Sequence, residues 1–178
     1  MQYRTIIQIV FSIFAYGNQT TTKMGLTINP SDYKILVVDD NEFNVHLMDI
    51  LLTKEKYQIV KAFSGKEALE KVHSDNPDLI LLDIMMPEMN GYEVMCQLKA
   101  DEKYRDIPIL LLTAVSNPDD VVKGFKLGAS DYVTKPFSKE ELLIRINHQV
   151  ALIAAKNEIV KKNEELQQMI DKINAKKS

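Results

Sequence analysis

Five side chains able to do chemistry stand at the ends of four apolar runs. KILVVDD closes on Asp39 and Asp40, LILLD on Asp83, IPILLLT on Thr113, and DYVTK on Lys135. Clustered carboxylates repel: a pair about 4 Å apart costs on the order of 4 kcal/mol at an effective dielectric near 20. Such a cluster must hold protons or bind a cation. An oxygen-only donor set, without histidine or thiolate, favours Mg²⁺, which takes one or two carboxylates, several waters and a phosphate oxygen. Lys135 adds a second positive charge. A cation and an ammonium beside the Thr113 hydroxyl make a site for a phosphoryl group. Asp83 then becomes a candidate nucleophile, because carboxylates form aspartyl-phosphate intermediates.

Whether these groups meet depends on the elements that carry them. Leu79 to Leu82 is a run of four apolar residues bounded by Pro77 and a turn-rich stretch, the pattern of a strand buried on both faces. Lys34 to Val38, Tyr57 to Phe63, Ile107 to Leu112 and Asp131 to Val133 read as four more strands. Helices are expected between them. Asn44 to Glu55 carries Leu47, Met48, Leu51 and Leu52 at helical spacing. Ser64 to Glu67 fits a capping box ahead of Ala68, Leu69 and Val72. Asn76-Pro77 stops that helix, and Tyr92 to Leu98 begins the third. Asn117 with Pro118 opens the fourth and Gly128 closes it. Ser138 to Glu141 forms a second capping box, and Leu142, Leu143 and Ile146 would face the sheet. Strict alternation predicts an α/β fold, a doubly wound five-stranded parallel sheet. In such sheets ligands bind at the carboxyl ends of the strands, where all five groups would stand.

The rest of the chain sets bounds. With 178 residues, 46% hydrophobic and 26% charged, it suits one buried domain plus an appendage. A net charge of −3 gives no basic face, so direct nucleic-acid binding is not expected. Cys96 is the only cysteine, which excludes an intrachain disulfide and thiolate clusters. His46, His73 and His148 share no metal spacing. Residues 1–32 read as a loosely ordered leader, with a linker from Asn18 to Asn29. Its apolar run from Ile6 to Tyr16 reaches roughly 16 Å as a helix, against about 30 Å for a bilayer core, so no membrane span is expected. Arg4 and the Ala15-Tyr16-Gly17 triplet also fit a signal peptide; the cytosolic phosphoryl donor that the site would need favours a cytoplasmic chain. Beyond Ser138 no Gly or Pro interrupts the helix. Leu152, Ile159, Leu166 and Ile173 recur every seven residues, with Lys156, Asn163 and Ile170 at the alternate seam positions. This predicts a C-terminal helix over 151–178, a possible coiled coil and homodimer seam.

VVDDNEFN, LLDIMMPEMNGYE, LLTA and DYVTKPF together resemble the receiver domains of two-component response regulators, over about Tyr33 to Val150. The resemblance implies a flavodoxin-like strand order 2-1-3-4-5 for a receiver domain at 33–150. It implies a phosphorylation-controlled switch that takes a phosphoryl group from a phosphohistidine of a sensor histidine kinase or phosphotransfer protein. By that resemblance Asp83 is the phosphoacceptor, and Asp39, Asp40, Asp83 and the Met85 backbone carbonyl hold Mg²⁺. Thr113 and Lys135 contact the phosphoryl oxygens, Thr113 and Tyr132 form the switch, and the Lys135-Pro136 bond is cis. The residues alone favour Tyr132 as a half-buried strand aromatic and Met85, Met86 and Met89 as packing rather than function, and they allow Thr113 as a β-former.

Two other functions compete. A Mg²⁺-dependent aspartyl-phosphate phosphatase resembling the haloacid dehalogenases would need an acid two residues after the nucleophile, where Met85 stands. A non-switching scaffold that merely presents the C-terminal helix is opposed by the presence of all five polar groups. No separate output enzyme is expected in the chain.

Overall fold

The structure is a computed structural model that describes residues 28–114 and 118–175, with the backbone alone at 118–120. Residues 1–27 of the expected leader, the cleavage triplet and the Asn117 cap lie outside the described residues; the last part of that leader, expected to be loosely ordered, instead forms a 3-10 helix at Pro30–Asp32, whose Ser31 carbonyl accepts from the Gln58 amide at 2.6 Å.

Five parallel strands form one sheet in the order β2-β1-β3-β4-β5. They are β1 (Lys34–Val38), β2 (Gln58–Ala62), β3 (Leu79–Asp83), β4 (Ile109–Thr113) and β5 (Asp131–Thr134). The helices that link them are α1 (Glu42–Lys54), α2 (Gly65–Asp75), α3 (Gly91–Ala100) and α4 (Pro118–Lys126), and α5 (Lys139–Ala175) follows β5. This is the doubly wound architecture expected from the alternation, with the 2-1-3-4-5 order. Every residue of β3 and β4 is buried, as are the last four of β1. That explains their continuous apolar runs, since both faces of a parallel sheet are covered.

Register brings the polar ends together. Val38 pairs with Leu82, and Asp83 with Leu112, so Asp39, Asp83 and Thr113 leave the core at one edge. Thr113 pairs with Thr134, one residue before Lys135.

Capping matches the sequence closely. Ser64 Oγ accepts from the Glu67 N–H at 3.2 Å, but the returning Glu67 carboxylate accepts from Phe63 N–H at 2.8 Å rather than from the cap residue. Asn76 takes the left-handed conformation at φ 47°, and Gly128 does so at φ 101°. Asn90 and Glu93 form a complete capping box at the start of α3.

Two packing expectations fail. The buried residues of α1 are Val45, Met48 and Leu52, whereas Leu47 is exposed. Apolar residues surround most of this helix, so spacing alone could not choose its inner face. Met86 packs into the core but Met85 is exposed, so Met85 is not a packing residue. Leu142 and Ile146 are buried as expected, and Leu143 is half-buried.

The chain divides into two compact units, and residues 29–149 form the one that holds the sheet. In the other, residues 150–175 continue α5, which runs 37 residues without a break. Among the described residues no helix is long and apolar enough to cross a membrane.

Candidate functional site

Three carboxylates meet at the carboxyl edge of the central strands. Asp39, Asp40 and Asp83 each offer an oxygen within 4.8 Å of the others; Asp39 and Asp83 are buried and Asp40 is exposed. Lys135 reaches into this cluster from the end of β5. Its Nζ lies 2.7 Å from Asp39 Oδ2 and 3.2 Å from Asp83 Oδ1. The Lys135 N–H donates to the Thr113 carbonyl at 2.6 Å, tying the β5 turn to the end of β4. The Lys135-Pro136 peptide is cis, as the resemblance implied.

Asp39 is held by neighbours that the sequence reading passed over. The Asn41 N–H donates to its Oδ1 at 2.9 Å. The Asn44 amide nitrogen donates to both carboxylate oxygens, at 3.1 and 3.0 Å. Asn41 is also the N-cap of α1, accepting from the Phe43 N–H at 3.0 Å, so one residue starts the helix and braces the carboxylate. Asn44 stands in the first turn of α1, and nothing in its local sequence marks it as turning back onto the strand end.

Burial raises the Asp83 carboxyl above the ordinary carboxylate range. Lys135 opposes that shift, Asp39 adds to it, and hydrogen bonds from Lys135 and the Met85 N–H oppose it. Three carboxylates against one ammonium leave negative charge in a partly enclosed pocket. That donor set fits a hard divalent cation such as Mg²⁺, which prefers carboxylate and carbonyl oxygens.

Thr113 is buried at the end of β4. It lines a cavity with Ile84, Gly124, Phe125 and Tyr132. Tyr132 is half-buried and meets Phe125 edge-on at 5.7 Å between ring centroids. The structure therefore gathers Asp39, Asp40, Asp83 and Lys135 into one cluster. Thr113 stands beside it and links it to the Tyr132 cavity. Met85 sits two residues past Asp83, with its side chain exposed and its N–H on the Asp83 carboxylate.

A flavodoxin-like sheet with an acidic pocket at its carboxyl edge defines a class of domain, and sequence comparison narrows it to a family. The profile of the response regulator receiver domain matches residues 35–147. The chain belongs to that family and is a receiver domain of two-component phosphorelay signalling. It is 42% identical over 144 residues to hybrid signal transduction histidine kinase D of Dictyostelium discoideum, covering 78% of this chain and 9% of that protein. It is 43% identical over 133 residues to the alkaline phosphatase synthesis transcriptional regulatory protein PhoP of Bacillus subtilis, covering 75% of this chain and 53% of PhoP. The chain thus matches only part of these relatives' length. Among solved structures, the signal receiver domain of a histidine kinase from Syntrophus aciditrophicus superposes with a TM-score of 0.63 at 34% identity. That match covers 67% of this chain and 90% of the other.

Proposed function

We propose that Asp83 accepts a phosphoryl group from the phosphohistidine of a sensor histidine kinase or phosphotransfer protein, and that the chain works as a switch in the cytoplasm. The observation that carries this reading is the shared ammonium: Lys135 Nζ lies within 3.2 Å of both Asp39 and Asp83 in the carboxylate cluster. An Asp83 oxygen attacks phosphorus, the O–P bond forms, the N–P bond of the donor breaks, and the imidazole leaves. Lys135, already beside Asp83, neutralises a phosphoryl oxygen, and the Thr113 hydroxyl donates to another. Asp39, Asp40, Asp83 and the Met85 carbonyl would hold Mg²⁺, which when bound supplies positive charge against the phosphoryl oxygens. Phosphorylation adds about one to two negative charges at Asp83. Drawing Thr113 toward it would free cavity space for Tyr132 and change the surface of α4, β5 and α5.

In this reading residues 29–149 carry the receiver, and the helical arm beyond it, to Ala175, is where two copies pair. The test is labelling by a small acyl phosphate with Mg²⁺. One phosphoryl group per chain is expected, lost in Asp83→Asn because an amide is a poor nucleophile. Labelling that survives that substitution unchanged refutes the assignment.

A further inference from the structure

The stretch of α5 past Val150 leaves an apolar stripe in solvent. Ile159, Leu166, Met169, Ile170 and Ile173 are each about half exposed or more, and Leu152 is 42% exposed. In heptad terms Leu152, Ile159, Leu166 and Ile173 occupy one seam position, written d, and Lys156, Asn163 and Ile170 the other, written a. Met169 flanks Ile170 and the exposed Val160 flanks Ile159, so the stripe is broader than a strict seam. Val150 and Ala154, both buried, lie away from it at the b and f positions. Both stand at the root of the arm; from Ile159 to Ala175 every residue is exposed, so the stripe is an uncovered face.

We infer that this stripe is a self-association seam, on which a second copy of this chain packs in parallel and in register with its Asn163 facing the first copy's Asn163. Orientation follows from the polar layers. An antiparallel pair sets every a residue against a d residue. All four d positions here are Leu or Ile, so Asn163 would meet an apolar side chain with no polar partner across the seam. In a parallel in-register pair the two Asn163 amides meet, and each can donate to the other's carbonyl. A single buried Asn at a fixes register and favours a discrete pair at a cost in stability. The two Lys156 side chains, near the receiver end, can turn their ammonium groups outward along their stems.

Flanking residues agree with this orientation. The g to e pairs of a parallel dimer are Ala155 with Val160, Lys162 with Gln167 and Met169 with Asn174, none of like charge. Lys162 instead pairs within its own helix with Glu158, at 3.3 Å. Solvation falls to the b, c and f positions, where Glu158, Lys161, Glu164, Glu165, Asp171 and Lys172 stand.

The test is mass by sedimentation equilibrium of the full chain, with no phosphoryl donor present. The mass is expected to approach that of two chains as concentration rises, and Leu166→Lys to return it to one. Leu166 is exposed, so that variant keeps its fold, which circular dichroism checks. Orientation is read in a Cys96→Ser, Ile170→Cys chain. Under oxidised glutathione, two thiols of a parallel in-register pair lose their protons and two electrons and form one disulfide between copies. A single-chain mass at all concentrations overturns the seam, and is the result expected if residues 1–27 of the same chain cover the stripe. A dimer indifferent to Leu166→Lys places association elsewhere and also overturns it. A dimer that Leu166→Lys abolishes but that gives no disulfide overturns the parallel register. None of these readouts involves Asp83, so their failure leaves the phosphoryl reading standing, and the reverse holds.

Discussion

Gly91→Ala offers a sign test of how the fold fixes Asp83. Gly91 is the first residue of α3, and its N–H donates to the Ile84 carbonyl at 3.0 Å. A methyl added there would run into the Asp83 carbonyl oxygen and lie 2.9 Å from Ile84 Cα and 3.0 Å from Asp83 C. All three are backbone atoms, so no rotamer change relieves the contact. Helix propensity argues the other way: Ala exceeds Gly by about 1 kcal/mol in a helix interior, and Gly91 has no positive φ to protect. Overpacking of a close-packed core costs about 1–3 kcal/mol, with backbone obstruction at the upper end. For a chain of this size 1 kcal/mol corresponds to roughly 2–4 °C in Tm, so a net cost of about 2 kcal/mol should lower Tm by about 4–8 °C in thermal melting. Gly124→Ala is the comparison, because there the nearest atom is the Leu111 Cδ1 methyl at 2.9 Å, which can turn aside; its Tm should move far less. Since Gly91→Ala also displaces the end of β3, acyl-phosphate labelling should slow by up to about a hundredfold, the cost of a misplacement near 1 Å. A Gly91→Ala chain that melts within about 1 °C of the parent refutes the reasoning.

Mg²⁺ at about a hundred times its dissociation constant should stabilise the chain by roughly 2.7 kcal/mol, several degrees in Tm, and Asp40→Ala should remove most of that rise. An equal rise in Asp40→Ala would show that the ion binds elsewhere. Burial, with Glu55 and Tyr33 nearby, pushes the Tyr57 hydroxyl up to about 12 while it donates to Asn147 Oδ1 at 2.7 Å; the contribution of neutral Tyr57 is intact below about pH 10 and lost as pH rises through about 12. Denaturant melts across that range should fall less steeply for Tyr57→Phe, which costs about 1 kcal/mol at neutral pH for the lost hydrogen bond.

Fold and site were legible to different depths. The strands could be read because a parallel sheet covered on both faces leaves no choice but an apolar run, and β3 and β4 are buried throughout. Their polar ends could be read because the run stops where the core stops. Faces of helices were harder. Around α1, Phe43, Leu47 and Ile50 are exposed while Val45, Met48 and Leu52 are buried, and a helix apolar on both sides carries no periodic signal. Gly91 read only as punctuation after Asn90, yet its role is steric and depends on a backbone eight residues earlier. Asn41 and Asn44 were missed because nothing local says that a polar residue in a first helical turn folds back onto a strand end. Long-range geometry decides these cases.

Asp39 shows why such contacts matter for the site. It is 0% exposed, and a buried carboxylate is tolerated only when its oxygens are matched. Lys135, the Asn41 N–H and the Asn44 amide provide that match. One carboxylate is thus committed largely to the protein's own donors. Asp83 shares only the ammonium from that set, and Asp40 is exposed. The less fully matched negative charge therefore lies toward Asp83 and Asp40, of which Asp40 is exposed. Lys135 is held by Asp39 in the absence of any ligand, so in the proposed transfer its charge is already aimed at Asp83. Such preorganisation avoids reorientation at the moment of reaction. The fold supplies it by making Asp39, the most buried of the three carboxylates, the anchor and leaving Asp83 and Asp40 for a ligand.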